Sequence, residues 1–126
     1  MNSKAADTNE RPDVVLDLER LKKNCNGNLA IIAELLTHLH QKSGPKWIAA
    51  LKEGIKADNS ETLREVCHGM KGASATIFAW RISNLALELE HLARDGEVKQ
   101  LSDRLVDLQA AFDELTAWRK KQADLS

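Results

Sequence analysis

The sequence predicts an all-α protein, an antiparallel up-down four-helix bundle with a short additional N-terminal helix. Leu, Ala, Glu and Lys dominate, tyrosine is missing and aromatics make up 4% of the residues. That composition favours helices over sheets. Apolar residues recur three and four positions apart through most of the chain, the period of a helix with one buried face. No segment alternates as a half-buried strand would. At 126 residues the chain is expected to form one domain around a single core.

Each element follows from a local signal. Residues 1–13 are polar and lack the apolar core of a signal sequence, so they are expected to be a flexible tail or linker. Val15, Leu16, Leu18 and Leu21 predict the short first helix, ending before Asn26-Gly27-Asn28 and covering one end of the bundle. Asn28 is placed to cap a helix in which Ile32, Leu35, Leu36 and Leu39 recur. Ser43-Gly44-Pro45 interrupts it: the helix either restarts at Pro45 or bends there. Trp47, Ile48, Leu51 and Ile55 carry the stripe on to Ala57.

Asp58-Asn59-Ser60 reads as a turn, with Ser60 as the cap of a helix whose periodic face runs through Ile77. Ile82, Leu85, Leu89 and Leu92 mark the next helix, which Asp95-Gly96 ends. Leu101, Leu105, Leu108, Phe112, Leu115 and Trp118 mark the last, and its basic end complements a helix C-terminus. The bundle is expected over 14–122, with 123–126 as a C-terminal tail. Trp47, Trp80 and Trp118 are expected to fill the core or the bundle ends.

Composition narrows the function. The net charge is −1, from 18 basic and 19 acidic residues spread along the chain, so no basic footprint for nucleic acid is expected. No apolar run approaches the roughly 18 residues that span a bilayer, so no direct membrane insertion is expected. Cys25 and Cys67 are expected to be free thiols in a reducing cytoplasm, with Cys67 in a packing rather than a redox role.

The stretch Glu65-Val66-Cys67-His68-Gly69-Met70-Lys71-Gly72-Ala73-Ser74-Ala75 carries the candidate chemistry. With His68 as zero on a helical wheel, Leu63, Val66, Met70, Ala73 and Ile77 fall between roughly 140° and 220°. His68 points away from that stripe, and Arg64, Lys71, Gly72 and Ala75 share its side. An exposed neutral imidazole is a candidate nucleophile at cellular pH. Lys71 and Arg64 are cations able to support a phosphoryl group in flight. Gly72 lowers the helix surface so that another protein's active site can approach. Glycine inside a helix costs about 0.5–1 kcal/mol relative to alanine, so Gly69 and Gly72 require a local reason. Spacing alone leaves an ordinary surface histidine and a functional one on equal terms.

His68-Gly69-Met70-Lys71-Gly72-Ala73-Ser74 resembles the signature of histidine-containing phosphotransfer (HPt) domains: His, any residue, an apolar residue, Lys, Gly and two small residues. Leu89-Glu90 matches a Leu-Glu pair on the family's following helix, and the likeness covers roughly 16 to 115 in helix order and spacing. The resemblance implies that His68 is the phosphoacceptor, relaying a phosphoryl group between receiver-domain aspartates in a multistep two-component phosphorelay. It implies as partners the receiver domains of a hybrid sensor kinase and a response regulator. No cofactor of the chain's own is implied; Mg²⁺ is expected on the partner receiver. The expected setting is cytoplasmic, free-standing or as the C-terminal cytoplasmic domain of a membrane-bound hybrid sensor kinase, and the simplest state is a monomer. The chain should neither bind ATP nor phosphorylate itself, since it carries no nucleotide-binding motif.

The chain departs from the family at Phe78, where a glycine is usual ten residues after the histidine, so the turn 77–80 is expected to be more helical or more buried. Cys67 stands where alanine is common. Leu87 lies off its helix's core stripe and is expected, with Gly72 and Ala75, to contact the partner. The residues also fit two rival readings. One is a non-catalytic helical adaptor that binds a receiver or kinase without transfer. The other is a metal-binding bundle, for which Glu88-x-x-His91 supplies only half of a di-iron pattern, so no metal ligand is assigned.

Overall fold

The computed structural model describes residues 14–125; the expected tail 1–13 lies outside them. Every regular element among the described residues is helical. In chain order these are α1 (Leu18–Asn24), α2 (Leu29–Thr37), a π-helical stretch (His38–Ser43), α3 (Gly44–Lys56), α4 (Ser60–Thr76), α5 (Trp80–Arg94), α6 (Val98–Asp103), α7 (Leu105–Lys120) and a 3₁₀ turn (Ala123–Leu125). Connections this short force α3, α4, α5 and α7 to run up and down as neighbours. The result is a four-helix bundle with α1 added at the N-terminus. No described helix is long and apolar enough to cross a membrane.

Caps fix the starts. Asn28 accepts from Ile31 N at 3.1 Å, as its position predicts. α4 is capped by Asn59, which accepts from Thr62 N at 3.1 Å, and not by Ser60, which is already helical. Asp58 in the left-handed region (φ 52°) completes that turn, so the shorter connection moves the cap back one residue.

The interruption at Ser43-Gly44-Pro45 produces no restart. The helix widens instead into the π-helical stretch, and Gly44 N donates to Leu39 O, five residues back. Proline can donate no hydrogen bond and its ring crowds the preceding turn; the wider turn accommodates both. A Cβ on Gly44 would lie 2.9 Å from the Phe112 ring, so glycine lets α7 close onto this helix.

The last helix is also not continuous. Arg104 N donates to Leu101 O, three residues back, which separates α6 from α7. The Arg104 side chain spans the break to Asp107 and to Glu88 on α5. Within the C-terminal tail expected over 123–126, the described residues 123–125 form the 3₁₀ turn. Leu125 is buried, and its carbonyl accepts from Arg119 Nε at 3.3 Å; burying one more leucine favours the extra turn. Trp80 is buried in the core, while Trp47 and Trp118 pack against it half-buried.

The α4–α5 turn fixes the register of the two helices that build the site. Phe78 sits there at φ 62°. Ala79 N donates to Ser74 O at 2.9 Å and Phe78 N to Ala75 O at 3.0 Å, the paired closure of a Schellman cap, whose left-handed position usually takes glycine. Of the two expectations for this turn, it is not more helical, because phenylalanine adopts the glycine conformation, but it is buried, with Ile77, Ala79 and Trp80 all in the core. The half-buried Phe78 ring lies beneath the Arg20 guanidinium, 4.7 Å from the centroid, and edge-on to Trp80 at 5.9 Å. The segment before α1 straps the same turn, because Asp17 N donates to Phe78 O and Arg81 N to Val14 O, both at 3.0 Å. Val14 thereby satisfies an N–H that α5, which lacks a side-chain cap, would leave unpaired.

A left-handed non-glycine residue costs about 1–2 kcal/mol, so two variants separate ring from backbone. Phe78→Ala loses the ring contacts and keeps the strain; Phe78→Gly loses the ring and relieves the strain. Urea unfolding should find the glycine variant about 0.5–1 kcal/mol more stable than the alanine variant. An alanine variant as stable as the glycine one would show that the turn does not hold residue 78 left-handed.

Candidate functional site

The core face of α4 is rotated from the one the spacing predicts. Leu63, Cys67, Met70, Ser74 and Ile77 are buried, Val66 is half-buried and Ala73 is exposed. The centre of the buried face thus shifts by about 40° on the wheel. The cause is α5, which lies close against α4: Ser83 Oγ on α5 donates to Lys71 O at 3.1 Å. The small Cys67 and Ser74 permit that approach, and a helix pressed on one flank buries the residues on that flank.

His68 nevertheless keeps 64% of its side chain exposed. The rotation brings its ring to Glu90 on α5, with Nδ1 2.9 Å from Oε2. The other carboxylate oxygen, Oε1, lies 3.0 Å from Lys71 Nζ. Glu90 and Lys71 are 14% and 19% exposed, so the ion pair forms the floor on which the imidazole stands. Burial alone raises the Glu90 pKa, but hydrogen bonds from Lys71 and His68, and their charges, outweigh it and leave the carboxyl below the usual glutamate range.

The tautomer follows. An ionised carboxylate can only accept, so the ring nitrogen facing Glu90 carries the proton. In the neutral imidazole Nε2 is then the unprotonated nitrogen. The arrangement can present a nucleophilic lone pair with a fixed orientation and a negative charge behind it.

Glu90 is the residue of the candidate site that residue spacing alone did not assign. Its one signal was the Leu89-Glu90 pair, which carried no role. Lys71 meets the site through Glu90. Arg64 points elsewhere: Nη2 donates to Glu61 Oε2 at 2.7 Å and Nε to Oε1 at 3.4 Å. The structure therefore does not hold it on His68, because Glu61 competes from the preceding turn of the same helix. The two exposed groups shift each other, the hydrogen bond first and the charge second, with Glu61 below and Arg64 above its ordinary pKa.

Gly69 and Gly72 are exposed, and a Cβ on either would meet nothing within 4 Å. Gly54 differs, since its Cβ would lie 2.7 Å from Leu63 Cδ2. Packing explains Gly54 and leaves the two beside His68 unexplained. Thr76 Oγ1 donates to Gly72 O at 2.8 Å, which secures the carbonyl of this thinly covered stretch. Ala75 and Leu87 are half-buried, and Leu87 lies outside the core cluster. Beyond Ala73 an apolar groove of about 280 Å³ is lined by Leu35, Leu39, Trp47, Ala73 and Ile77 among others.

Glu88 is paired with Arg104 at 3.0 Å, and no group of three or more His, Cys, Asp and Glu suited to a metal occurs among the described residues. Cys67 is fully buried and Cys25 half-buried, both unpaired thiols. Burial first, and the Glu90 charge second, push the Cys67 thiol up to about 12.

In comparison with known proteins, the family model described as Hpt domain matches residues 18–118. No curated protein and no solved structure matches the chain.

A thiol reagent at pH 8 should label Cys25 and leave Cys67 unreacted until urea is added. The folded state binds the Cys67 proton more tightly than the unfolded chain, so its contribution to stability is whole below the ordinary thiol pKa of about 8.5. That contribution is lost as pH rises from there toward 12. Urea midpoints between pH 7 and 10 should fall for the wild type more than for Cys67→Ala. Equal slopes would show that Cys67 titrates as freely folded as unfolded.

Proposed function

The chain belongs to the Hpt domain family, and from that premise we propose that it relays a phosphoryl group between receiver-domain aspartates through Nε2 of His68. Hpt domains in general interact with receiver domains in phosphorelays. The observation that carries the finer reading is the bond between His68 Nδ1 and Glu90, which leaves Nε2 as the outward base.

The step balances on the chain's own groups. The Nε2 lone pair attacks the phosphorus of a receiver's aspartyl phosphate. An N–P bond forms, the acyl P–O bond breaks, and its electron pair stays on the aspartate carboxylate. The ring then carries positive character, which Glu90 stabilises through the Nδ1 hydrogen. Attack on the same phosphorus by a second receiver's aspartate reverses the sequence. Mg²⁺ would come with the receiver.

The neighbours take separate parts. Lys71 keeps Glu90 ionised despite its burial and adds positive potential near the transferring group. Gly69 and Gly72 let the receiver's active site come within bonding range of Nε2. The exposed face from Gly72 to Ala73, continued by the groove under Leu35 and Trp47, is the docking surface, with Ala75 and Leu87 at the opposite rim. We place the chain in the cytoplasm beside such receivers, as a monomer whose one histidine must meet different partners in turn.

Incubation with a phosphorylated receiver should load acid-labile phosphate on the wild type and none on His68→Gln; transfer to that variant at the wild-type rate sinks the assignment. Lys71→Ala should slow transfer roughly tenfold, about 1.4 kcal/mol of barrier, with its circular dichroism unchanged. An unfolded variant would make Lys71 structural instead.

Gly72→Ala should stabilise the free protein by about 0.5–1 kcal/mol, whereas Gly72→Leu should fold and transfer at least tenfold more slowly. Full transfer by the leucine variant would remove the clearance role.

A further inference from the structure

Resting on the reading of His68 as phosphoacceptor, we propose that Arg64 is the phosphoryl-binding cation of the phosphorylated state, and that Glu61 holds it in reserve until the phosphoryl group arrives. Arg64 lies one helical turn before His68 on the same exposed face, about 40° around the axis, within ordinary side-chain reach. Its guanidinium is held bidentately by Glu61 at 2.7 and 3.4 Å. Both side chains are open to solvent, 38% and 65% exposed. An ion pair this exposed holds its partners weakly, and a freed Glu61 carboxylate would simply be hydrated.

Lys71, the α4 cation one turn after His68, is less able to move. It is paired with Glu90 where both are mostly covered. Withdrawing it would leave a half-buried carboxylate short of its partner, which costs far more than opening a surface pair. Of the two described α4 cations flanking His68, Arg64 is therefore the one available at low cost.

The incoming group is also the better acceptor. A phosphoryl group brings more negative charge than a carboxylate, and its three oxygens suit the planar guanidinium fork. The exposed Glu65, three residues before His68, adds repulsion that an unneutralised phosphoryl group would feel. The positive potential that Lys71 adds is offset in part by the Glu90 charge it is paired with. Once Nε2 is phosphorylated, Arg64 exchanges Glu61 for the phosphoryl oxygens, and it returns when the group leaves.

The test requires no receiver. Phosphoramidate donates its phosphoryl group to a neutral imidazole, its own N–P bond breaking to release ammonia. Wild type, Arg64→Gln and Glu61→Gln are loaded in this way, with His68→Gln as the control for other histidines. The second ionisation of the phosphoryl group is then followed by ³¹P NMR. Arg64→Gln should raise its pKa by roughly 0.5–1 unit, and Glu61→Gln should leave it at or below the wild-type value. The Arg64 Nε–H resonance of the wild type should shift on phosphorylation. Identical titrations in Arg64→Gln and wild type, or an unmoved Nε–H resonance, overturn the exchange while leaving His68 as acceptor. A wild type that gains no ³¹P signal beyond that of His68→Gln overturns the acceptor assignment itself, and the exchange with it.

Discussion

A half-buried carboxylate is unfavourable unless it is paired, and Glu90 is paired twice. Lys71 lies against one oxygen and His68 against the other, at 3.0 and 2.9 Å. The geometry of the site rests on this bridge between α4 and α5. It orients the imidazole, sets which nitrogen bears the proton, and immobilises a lysine that would otherwise be a free surface cation. A histidine at the same position without Glu90 would still be exposed, but its ring would have no fixed rotamer or tautomer.

The bridge closes only if α4 and α5 are in register, and that register is set at the far end of the hairpin. The Schellman turn at Phe78 fixes where α5 begins relative to where α4 ends. The turn is strained at its left-handed residue and is held from outside by the strap that includes Val14 and Asp17, with Arg20 over the Phe78 ring. Local strain persists where the surroundings over-determine it. The short N-terminal helix is thus more than a lid on the bundle, since it stabilises the turn from which the His68–Glu90 contact is set.

Most of the architecture was legible because it rests on period and punctuation. Four amphipathic helices, their turns and the outward face of His68 follow from apolar spacing and from Asn, Asp and Gly at the breaks. What spacing missed shares one physical cause, which is that a helical wheel carries no information about neighbours. Cys67 and Ser74 are buried because α5 presses on that flank, while Ala73 looks apolar and lies exposed. Arg64 shares a face with His68 but is captured by Glu61, a competitor that distance along the sequence cannot rank. Glu90 lies 22 residues from His68, so pairing it with the imidazole required the hairpin itself. At Phe78 the expected burial of the turn holds and the expected extra helix does not: residue type described its usual preference, and tertiary contacts overrode that preference.

The residues around His68 also separate by what stability asks of them. Met70 and Leu63 are where a core requires them, and Gly54 is where Leu63 leaves no room for a side chain. Gly69 and Gly72 have no such reason, for each is open on its helix surface and each costs about 0.5–1 kcal/mol against alanine. Neither packing nor backbone conformation requires glycine at either position, so on the proposed reading these two unforced glycines within four residues of one exposed histidine leave room for an incoming receiver. The same logic distinguishes the cations. Lys71 is held where the fold needs a counter-charge for Glu90, and Arg64 is held where nothing in the fold needs it. The bare helix surface and the loosely held arginine lie on the same face of α4 as His68, whose Nε2 is the atom from which the Glu90 bond withholds a proton.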